Sequence, residues 1–496
     1  MQGYVSAAAP LASPSAAMQG LNEHQLLQIL LHLTPLDAIH VAQASKMEVF
    51  TRSALMDTLW ERHTRAIFSL SGEVPHGHED LTLPTWKSAF QSWHQALKAL
   101  GASGAAAAAL RGERAPSARW VRVWRRLRTW LKEAGDAKPI EATLRSGVEG
   151  EAPPELLELC SSVSPVVMDC YRLVDGQDAP VEHQASVWAS DTMATLGEGE
   201  EWSRGLFGGY QTYDHAVCTV FLPLAAAVKI TCKLRGMLAQ VRDFQDTSLL
   251  ANKLVFATSF NLAKFLFLDL CTAEVSIFTR KPWAPFEAAT PPSKETGDGF
   301  LRWFEEYARR LENKCYVTDF LSPQDAPLQV GVSLFPASPP DMTVCVTRGV
   351  EVRASAIYMP EHNAGWTYSI ALRLTGTAEE RGFEKCQLLT RHWEIEEAGR
   401  SQPERVDGDG VIGLFPILVD GGWLKNVESD PHHQYSDHGK AEGFFRYQSC
   451  SGRSSSMKGR FGGSIVFVPG TKRKPEGPPF RVRVEPFNLY VPEFLF

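Results

Sequence analysis

The sequence lacks the features that mark secreted and membrane proteins. The first twenty residues are small and polar, with neither a basic start nor an apolar core, which predicts a disordered leader, 1–20, and not a secretory signal. The most apolar segment, 253–270, is interrupted by Asn261, Lys264 and Asp269, so it does not have the composition of a membrane span. We expect a soluble protein of the cytoplasm, the nucleus or both, with no membrane partner.

Paired cysteines and the common catalytic motifs are also missing. The nine cysteines form no C-x-x-C pair, which argues against a zinc site or a disulfide framework. They predict buried free thiols in a reducing compartment. No G-x-S-x-G, H-E-x-x-H or P-loop G-K-S/T occurs, so the sequence does not support a hydrolase or nucleotidase of those classes. We therefore expect no enzymatic activity, no metal and no cofactor.

Basic residues are too few, and too local, for a nucleic-acid-binding protein. The formal net charge is −7, whereas such proteins normally present a concentrated basic face. The one basic patch, Arg119–Lys132, carries Trp120, Trp124, Leu127 and Leu131 at helical spacing. That spacing predicts a packed helix whose basic side faces solvent.

The length of 496 residues predicts about three domains, and the chain changes character at matching places. Residues 21–100 are rich in leucine and predict short helices, with Pro35 interrupting the first and Asp37 capping the second. Helices this short need a partner or the rest of the domain to cover their apolar side. The alanine- and glycine-rich residues 101–117 predict a linker, or a fraying helix, between domains.

The remaining segments predict an α+β domain followed by an all-β domain. Residues 118–318 mix amphipathic helices with apolar runs at Val217–Leu222, Lys253–Phe260 and Phe265–Leu270, which we expect to be strands of a buried sheet. Residues 319–341 predict a connector. Residues 342–496 contain period-two runs such as "YSIALRL" and "FRVRVEPF" between Gly/Pro-rich turns, which is typical of an antiparallel β-sandwich.

A Gly-x-Gly-x-x-Gly motif, Gly408, Gly410 and Gly413, lies in "RVDGDGVIGLFPIL". No helical pattern follows it, so no helix N-terminus is available to bind a phosphate. We interpret Gly408 and Gly410 as positions of positive φ in a chain reversal, and Gly413 as a position of close strand packing. The alternative is an anion-binding nest of backbone N–H groups, to which Arg391, His392 and Arg405 would add charge.

An insertion at 424–444 holds side chains of types that can bind metals. Its spacing fits no standard site, and its polar composition predicts a mobile loop. The residues concerned are Asp430, His432, His433, Asp437 and His438.

Residues 21–65 resemble an F-box. "LNEHQLLQILLHLTPLDAIHVAQASK" and the later "LWERH" contain the leucine-rich helix, the Pro-x-Asp and the Leu-Trp of that family. The resemblance implies an all-α domain that binds a Skp-family adaptor. The side chains it assigns to adaptor binding are Leu21, Leu26, Leu27, Ile29, Leu30, Leu33, Pro35, Leu36, Leu59 and Trp60.

The two later domains also resemble known families. "PPELLELC" with "YRLVDGQ" resembles the SUKH family, an α+β fold. "CQLLTRHWEI", "GDGVIGLFPIL", "MKGRF" and "FRVRVEPFNL" resemble ApaG, a fibronectin III-like β-sandwich whose glycine motif has been proposed to bind diphosphate groups.

The order F-box, SUKH, ApaG resembles that of the F-box only protein 3-like family and its plant counterparts. This resemblance implies a non-catalytic substrate receptor of a Skp–cullin–F-box ubiquitin ligase, with a Skp-family adaptor as direct partner, a cullin as indirect partner and unidentified target proteins. The alternative function is a small-ligand module in which the ApaG domain senses a phosphate or pyrophosphate compound.

Overall fold

The computed structural model divides into two compact units, the first within residues 1–129 and 160–180, the second within 130–159 and 181–496. The residues it describes are 23–44, 53–68, 85–99, 103–114, 117–133, 170, 206–212, 215–222, 224–238, 250, 252–259, 262–279, 287–292, 297–320, 330–425, 441–451 and 458–496. The sequence motif "YRLVDGQ" lies outside them.

Short helices form the described part of the first unit. They are α1 (Glu23–Leu30), α2 (Pro35–Ala44), α3 (Ser53–Ile67), α4 (Trp86–Ala99), α5 (Ser103–Leu110) and α6 (Ala118–Glu133), of which residues 118–129 belong to this unit. Trp60 of α3 packs on Phe90 of α4, with ring centroids 5.0 Å apart, and Phe68 lies 5.8 Å from the same ring. Asp57 accepts a 2.6 Å hydrogen bond from the Trp86 backbone N–H and fixes the start of α4. Aromatic packing between helices therefore supplies the stability that such short helices lack alone.

Residues 101–117, the expected linker, contain a packed helix. In α5, Ala106 and Ala109 are buried. A Cβ atom placed on Gly112, just beyond α5, would lie 3.6 Å from Pro35 at the start of α2. Alanine has the highest helix propensity, and its small side chain permits close helix approach. The alanine-rich composition, which suggested a linker, therefore favours a helix where other helices pack against it.

The basic patch forms α6, as predicted. Trp120, Trp124 and Leu127 are buried, while Arg125 and Arg126 are half-buried. The prediction of a packed helix is confirmed, whereas its basic side is less exposed than expected, since Arg122 lies over the Trp93 ring.

A mixed sheet with two helices makes up the first part of the second unit. Its strands are β1 (Gly209–Thr212), β2 (His215–Phe221), β3 (Lys253–Ser259), β4 (Lys264–Asp269), β5 (Val275–Thr279), β6 (Glu287–Ala288), β7 (Val317–Phe320) and β8 (Val330–Ser333), and its helices are α7 (Leu224–Leu238) and α8 (Gly299–Glu312). The order is β6-β5-β4-β3-β2-β1-β8-β7, and β1 pairs with β8 in parallel. The predicted α+β character and the three predicted strands are confirmed as β2, β3 and β4. The segment 319–341, expected to connect two domains, contributes β8 to this sheet.

The C-terminal part is a two-sheet β structure, as predicted. Its strands are β9 (Met342–Thr347), β10 (Val350–Tyr358), β11 (Trp366–Leu374), β12 (Cys386–Glu397), β13 (Glu404–Asp409), β14 (Ile417–Val419), β15 (Gly422–Leu424), β16 (Ala441–Glu442), β17 (Phe445–Ser451), β18 (Lys458–Pro469) and β19 (Phe480–Tyr490), with one short helix, α9 (Ala378–Arg381). One sheet has the order β17-β11-β10-β9. The other runs β16-β15-β14-β12-β18-β19, with β13 added on β12. Phe480, Val482 and Val484 point inward and Arg481 and Arg483 outward, because strand residues alternate between faces.

The C-terminal residues attach the β structure to the mixed sheet. The Trp303 indole on α8 donates a 2.7 Å hydrogen bond to the Leu495 carbonyl. The Phe496 ring lies 4.9 Å from Trp303 and 5.2 Å from Tyr307. The buried Lys264 ammonium donates to the backbone oxygen of Phe496. These contacts explain why the two parts form one compact unit.

Cysteine burial is more varied than expected. The cysteines that the structure describes form no disulfide with one another. Cys218 and Cys386 are buried, whereas Cys271 is exposed, so the expectation of uniformly buried thiols was wrong. Cys271 follows β4 in a surface turn, where its N–H bonds the Asp269 carboxylate.

Candidate functional site

The junction between α1 and α2 is fixed by reciprocal hydrogen bonds between Thr34 and Asp37. The Asp37 N–H donates to Thr34 Oγ1 at 3.1 Å, and the Thr34 hydroxyl donates to Asp37 Oδ2 at 2.7 Å. Thr34 precedes the helix, so it is the N-cap and Asp37 occupies the third helical position. The expectation that Asp37 itself caps α2 was wrong, because Pro35 starts the helix one turn earlier.

The residues expected to bind an adaptor divide by burial. Leu30, Pro35, Leu59 and Trp60 are buried among the helices. Ile29 is 41% exposed. The solvent-facing surface of this set therefore consists of Ile29 and the half-buried leucines, whereas the other four residues lie inside the unit. The half-buried leucines are Leu27, Leu33 and Leu36; Leu21 and the side chain of Leu26 lie outside the described residues.

Two histidines that the sequence reading missed lie in the aromatic core behind this surface. His63 is 6.1 Å from Trp60, and His94 stacks on Phe90 with ring centroids 6.3 Å apart. Burial lowers the pKa of both imidazoles, and the nearby charges of Arg62 and Lys98 lower them further. In the sequence, the only indication of this burial is that each histidine lies one helical turn after a core aromatic residue.

The glycine motif forms a strand end and a tight turn. Gly408 lies in β13 opposite Arg391 of β12. Gly410 has φ of +58°, and a Cβ atom there would lie 2.6 Å from the Leu414 carbonyl oxygen. Gly413 has φ of +77° with open space around it. The prediction of positive φ is confirmed for Gly410 and wrong for Gly408, and Gly413 turns the chain where strand packing was expected.

Backbone groups of the motif bond within the protein. The Gly410 N–H donates to the Leu389 carbonyl at 2.8 Å. Val411 and Leu414 exchange hydrogen bonds of 2.9 and 2.8 Å, and Ile412 between them also has positive φ, +45°. Ile412 and Gly413, both with positive φ, are enclosed by these two hydrogen bonds. A two-residue turn of this kind fits the twist of a β-hairpin.

The charged residues expected beside the motif have partners in the protein. Arg391 Nη1 donates to the carbonyls of Asp409 and Gly410 at 3.1 and 2.9 Å. His392 Nδ1 lies 2.6 Å from Asp407 Oδ1, and Arg405 lies 3.3 Å from Glu394. The arginine that stands closest to the turn therefore stabilises it.

One buried carboxyl group lies where the mixed sheet meets the β structure. Tyr210 on β1 donates its hydroxyl to Glu361, which is almost completely buried. Burial raises the pKa of Glu361 to about 8. Glu361 lies in the β10–β11 loop, and nothing in the sequence of that loop indicated a buried carboxyl group.

Other expected sites are not placed by the structure. The histidine- and aspartate-containing part of the 424–444 insertion, 426–440, lies outside the described residues. Among the residues that are described, no group of three His, Cys, Asp or Glu side chains could hold a metal ion. No helix within those same ranges is long and apolar enough to cross a membrane.

Comparisons with known proteins assign the class of the C-terminal part. The model of the DUF525 family, described as the ApaG domain, matches residues 358–469. A Protein ApaG from a Bradyrhizobium species is 33% identical over 112 residues, which cover 22% of this chain and 80% of that protein. A Protein ApaG from Pseudomonas paraeruginosa is 39% identical over 72 residues, 14% of this chain and 56% of its own length. The two-sheet β structure is therefore an ApaG domain.

One relative matches almost the whole chain. The F-box protein SKIP16 of Arabidopsis thaliana is 28% identical over 492 residues, 94% of this chain and 97% of that protein. The chain is therefore similar over nearly its whole length to an F-box protein, and its C-terminal part is an ApaG domain, as its motifs predicted.

Proposed function

We propose that this protein is the substrate-recognition subunit of a Skp–cullin–F-box ubiquitin ligase. The carrying observation is the match to an F-box protein over 94% of the chain. In this proposal the helices α1 to α3 bind a Skp-family adaptor, which joins the protein to a cullin. The SUKH-like and ApaG parts hold target proteins, and the chain itself performs no chemistry.

The apolar surface at the α1–α2 junction supports the adaptor role. Ile29, on α1, is exposed, and the half-buried Leu33 and Leu36 follow it at the junction with α2. The hydrogen bonds between Thr34 and Asp37 hold this junction rigid. A rigid surface loses little conformational entropy on binding. A few apolar anchors on such a surface supply most of the affinity of an interface.

The test is co-purification of the full chain with a recombinant Skp-family adaptor. Ile29→Asp should weaken the complex by about 2 kcal/mol, as loss of one anchor does, with unchanged thermal unfolding. Gln95→Asp, at an exposed position of α4, adds the same charge elsewhere and should bind normally. Full binding by Ile29→Asp, or none by the natural chain, would contradict the adaptor role.

The small-ligand alternative concerns the turn at Gly408, Gly410 and Gly413. Its backbone and Arg391 already bond within the protein, which favours a structural role. Calorimetry with pyrophosphate should show a Kd weaker than about 10 μM, or −7 kcal/mol. Tighter binding that Gly410→Val abolishes would favour the ligand-sensing function.

A further inference from the structure

The outer face of the β17-β11-β10-β9 sheet is covered at one end and open at the other. Directly opposite residues of antiparallel strands share a face, so the register assigns cross-strand rows. One row joins Ser355, Ser369 and Gln448, and there Gln448 accepts a 3.1 Å hydrogen bond from the Gln211 N–H of β1. The mixed sheet therefore covers this end of the face.

The next two rows leave this cover only towards β9. At the β17 end of the first of these two rows Arg446 pairs with Asp319 of β7 and Ala371 is buried, whereas the β9 end is exposed. Val344 is opposite Arg353, and Val346 is opposite Glu351, which is in turn opposite Arg373. Val344 is 46% exposed and Val346 56%. Both valines lie on β9, the edge strand, where proteins usually place charged side chains. Two adjacent exposed valines on an edge strand present apolar surface that favours association with another chain.

Two arginines beside the valines are held in fixed positions. Glu351 is buried and bonds Arg353 Nε at 2.7 Å and Arg373 Nη2 at 2.7 Å. Both guanidinium groups also stack on Phe444, at 4.7 and 4.5 Å from the ring centroid. Stacking and ion pairing together restrict side chains that are otherwise flexible.

The charges of this cluster do not balance. Two guanidinium groups share one carboxylate, which leaves one positive charge on the face. Each arginine side chain remains 41% exposed. Each guanidinium has five N–H donors. The bonds to Glu351 use Nε of Arg353 and Nε and Nη2 of Arg373. Planar, preorientated donors of this kind fit a second carboxylate.

We propose that this open end, the valine–arginine face (Val344, Val346, Arg353, Arg373 and Phe444), docks a protein segment that carries a carboxylate beside apolar side chains. The carboxylate would bond the two arginines, and the apolar side chains would cover the valines. A basic segment is repelled, and a purely apolar segment would remove the exposed N–H groups of both arginines from water without a second acceptor. If the proposed function holds, the docked segment belongs to a ubiquitination target, and this part of the proposal rests on that function. The docking itself does not require a Skp-family adaptor.

The test uses the full chain without an adaptor, so its outcome is independent of the F-box proposal. A phage-displayed library of random 12-residue peptides is panned on the natural chain, and enriched peptides are resynthesised for fluorescence anisotropy. We expect sequences with Asp or Glu next to Leu, Ile, Val or Phe. Replacement of the acid by its amide should weaken binding at least tenfold.

Variants of the face make the test specific. Val346→Asp changes an exposed position and should weaken the enriched peptides at least tenfold without altering thermal unfolding. The triple variant Glu351→Gln, Arg353→Gln, Arg373→Gln removes the cluster without leaving a lone buried charge and should do the same. Arg460→Gln with Arg481→Gln, exposed arginines of the other sheet, is the control and should bind normally. No enriched peptide, enrichment of basic peptides, or equal binding by Val346→Asp would overturn the proposal.

Discussion

The helical unit and the ApaG domain use their apolar side chains in opposite ways. In the helices, Leu30, Leu59 and Trp60 match a binding motif yet lie in the core, and Ile29 is the exposed one. In the ApaG domain, Val344 and Val346 belong to an ordinary alternating strand yet lie on the surface. In both regions the residue types show which side chains are apolar. Whether such a side chain is buried depends on whether a neighbouring segment covers it.

The largest expected effect separates core from surface within the helices. Trp60→Ala should destabilise the helical unit by about 3–5 kcal/mol, because it leaves a cavity against Phe90. Ile29→Ala should change stability by about 0.5 kcal/mol or less. Chemical denaturation followed by circular dichroism measures both. Equal losses would show that Ile29 is part of the core.

The next effect separates two glycines of one turn. Gly413→Ala should cost about 1–2 kcal/mol for a non-glycine residue at positive φ. Gly410→Ala has the same strain and also a Cβ clash with the Leu414 carbonyl, so it should cost about 2–4 kcal/mol. Thermal unfolding of the two variants gives the difference. Equal losses would contradict the close approach at Gly410.

The second unit should lose stability as pH rises. The pKa of Glu361 is raised from 4.5 to about 8 in the folded protein, so the stabilisation is complete below pH 4.5 and is lost as pH rises towards 8. The slope is at most about 1.4 kcal/mol per pH unit. Glu361→Gln keeps an acceptor for Tyr210 and should reduce this loss. An unchanged slope in denaturation at pH 5 to 8 would contradict the assignment.

The helical unit should respond in the other direction. The folded-state pKa values of His63 and His94 lie below the ordinary value of 6.5, so unfolded histidines bind protons first. Stability is therefore present above pH 6.5 and decreases as pH falls below it. Tryptophan fluorescence of the chain during urea denaturation at pH 7.5 and 5.5 measures the change. His63→Phe should lessen it, and His32→Phe, at an exposed position, is the control.

Patterns within one element were enough to predict much of the fold. The stripe of Trp120, Trp124 and Leu127 predicted α6, and the alternation of Phe480, Val482 and Val484 predicted β19. Spacing in the chain alone fixes which side chains share a helix or strand face. The glycine motif was also recognisable as a turn, because no helical pattern follows it.

Facts that depend on two distant segments came only from the tertiary structure. The alanine-rich α5 is a packed helix because α4 and α2 lie against it. Gly408 lies in a strand because β12 pairs with β13. The open valine–arginine face depends on a register that joins β9, β10 and β11. The sequence by itself determined the elements and their apolar sides, and the tertiary structure decided which of those sides is covered, because burial is a property of pairs of segments and not of one.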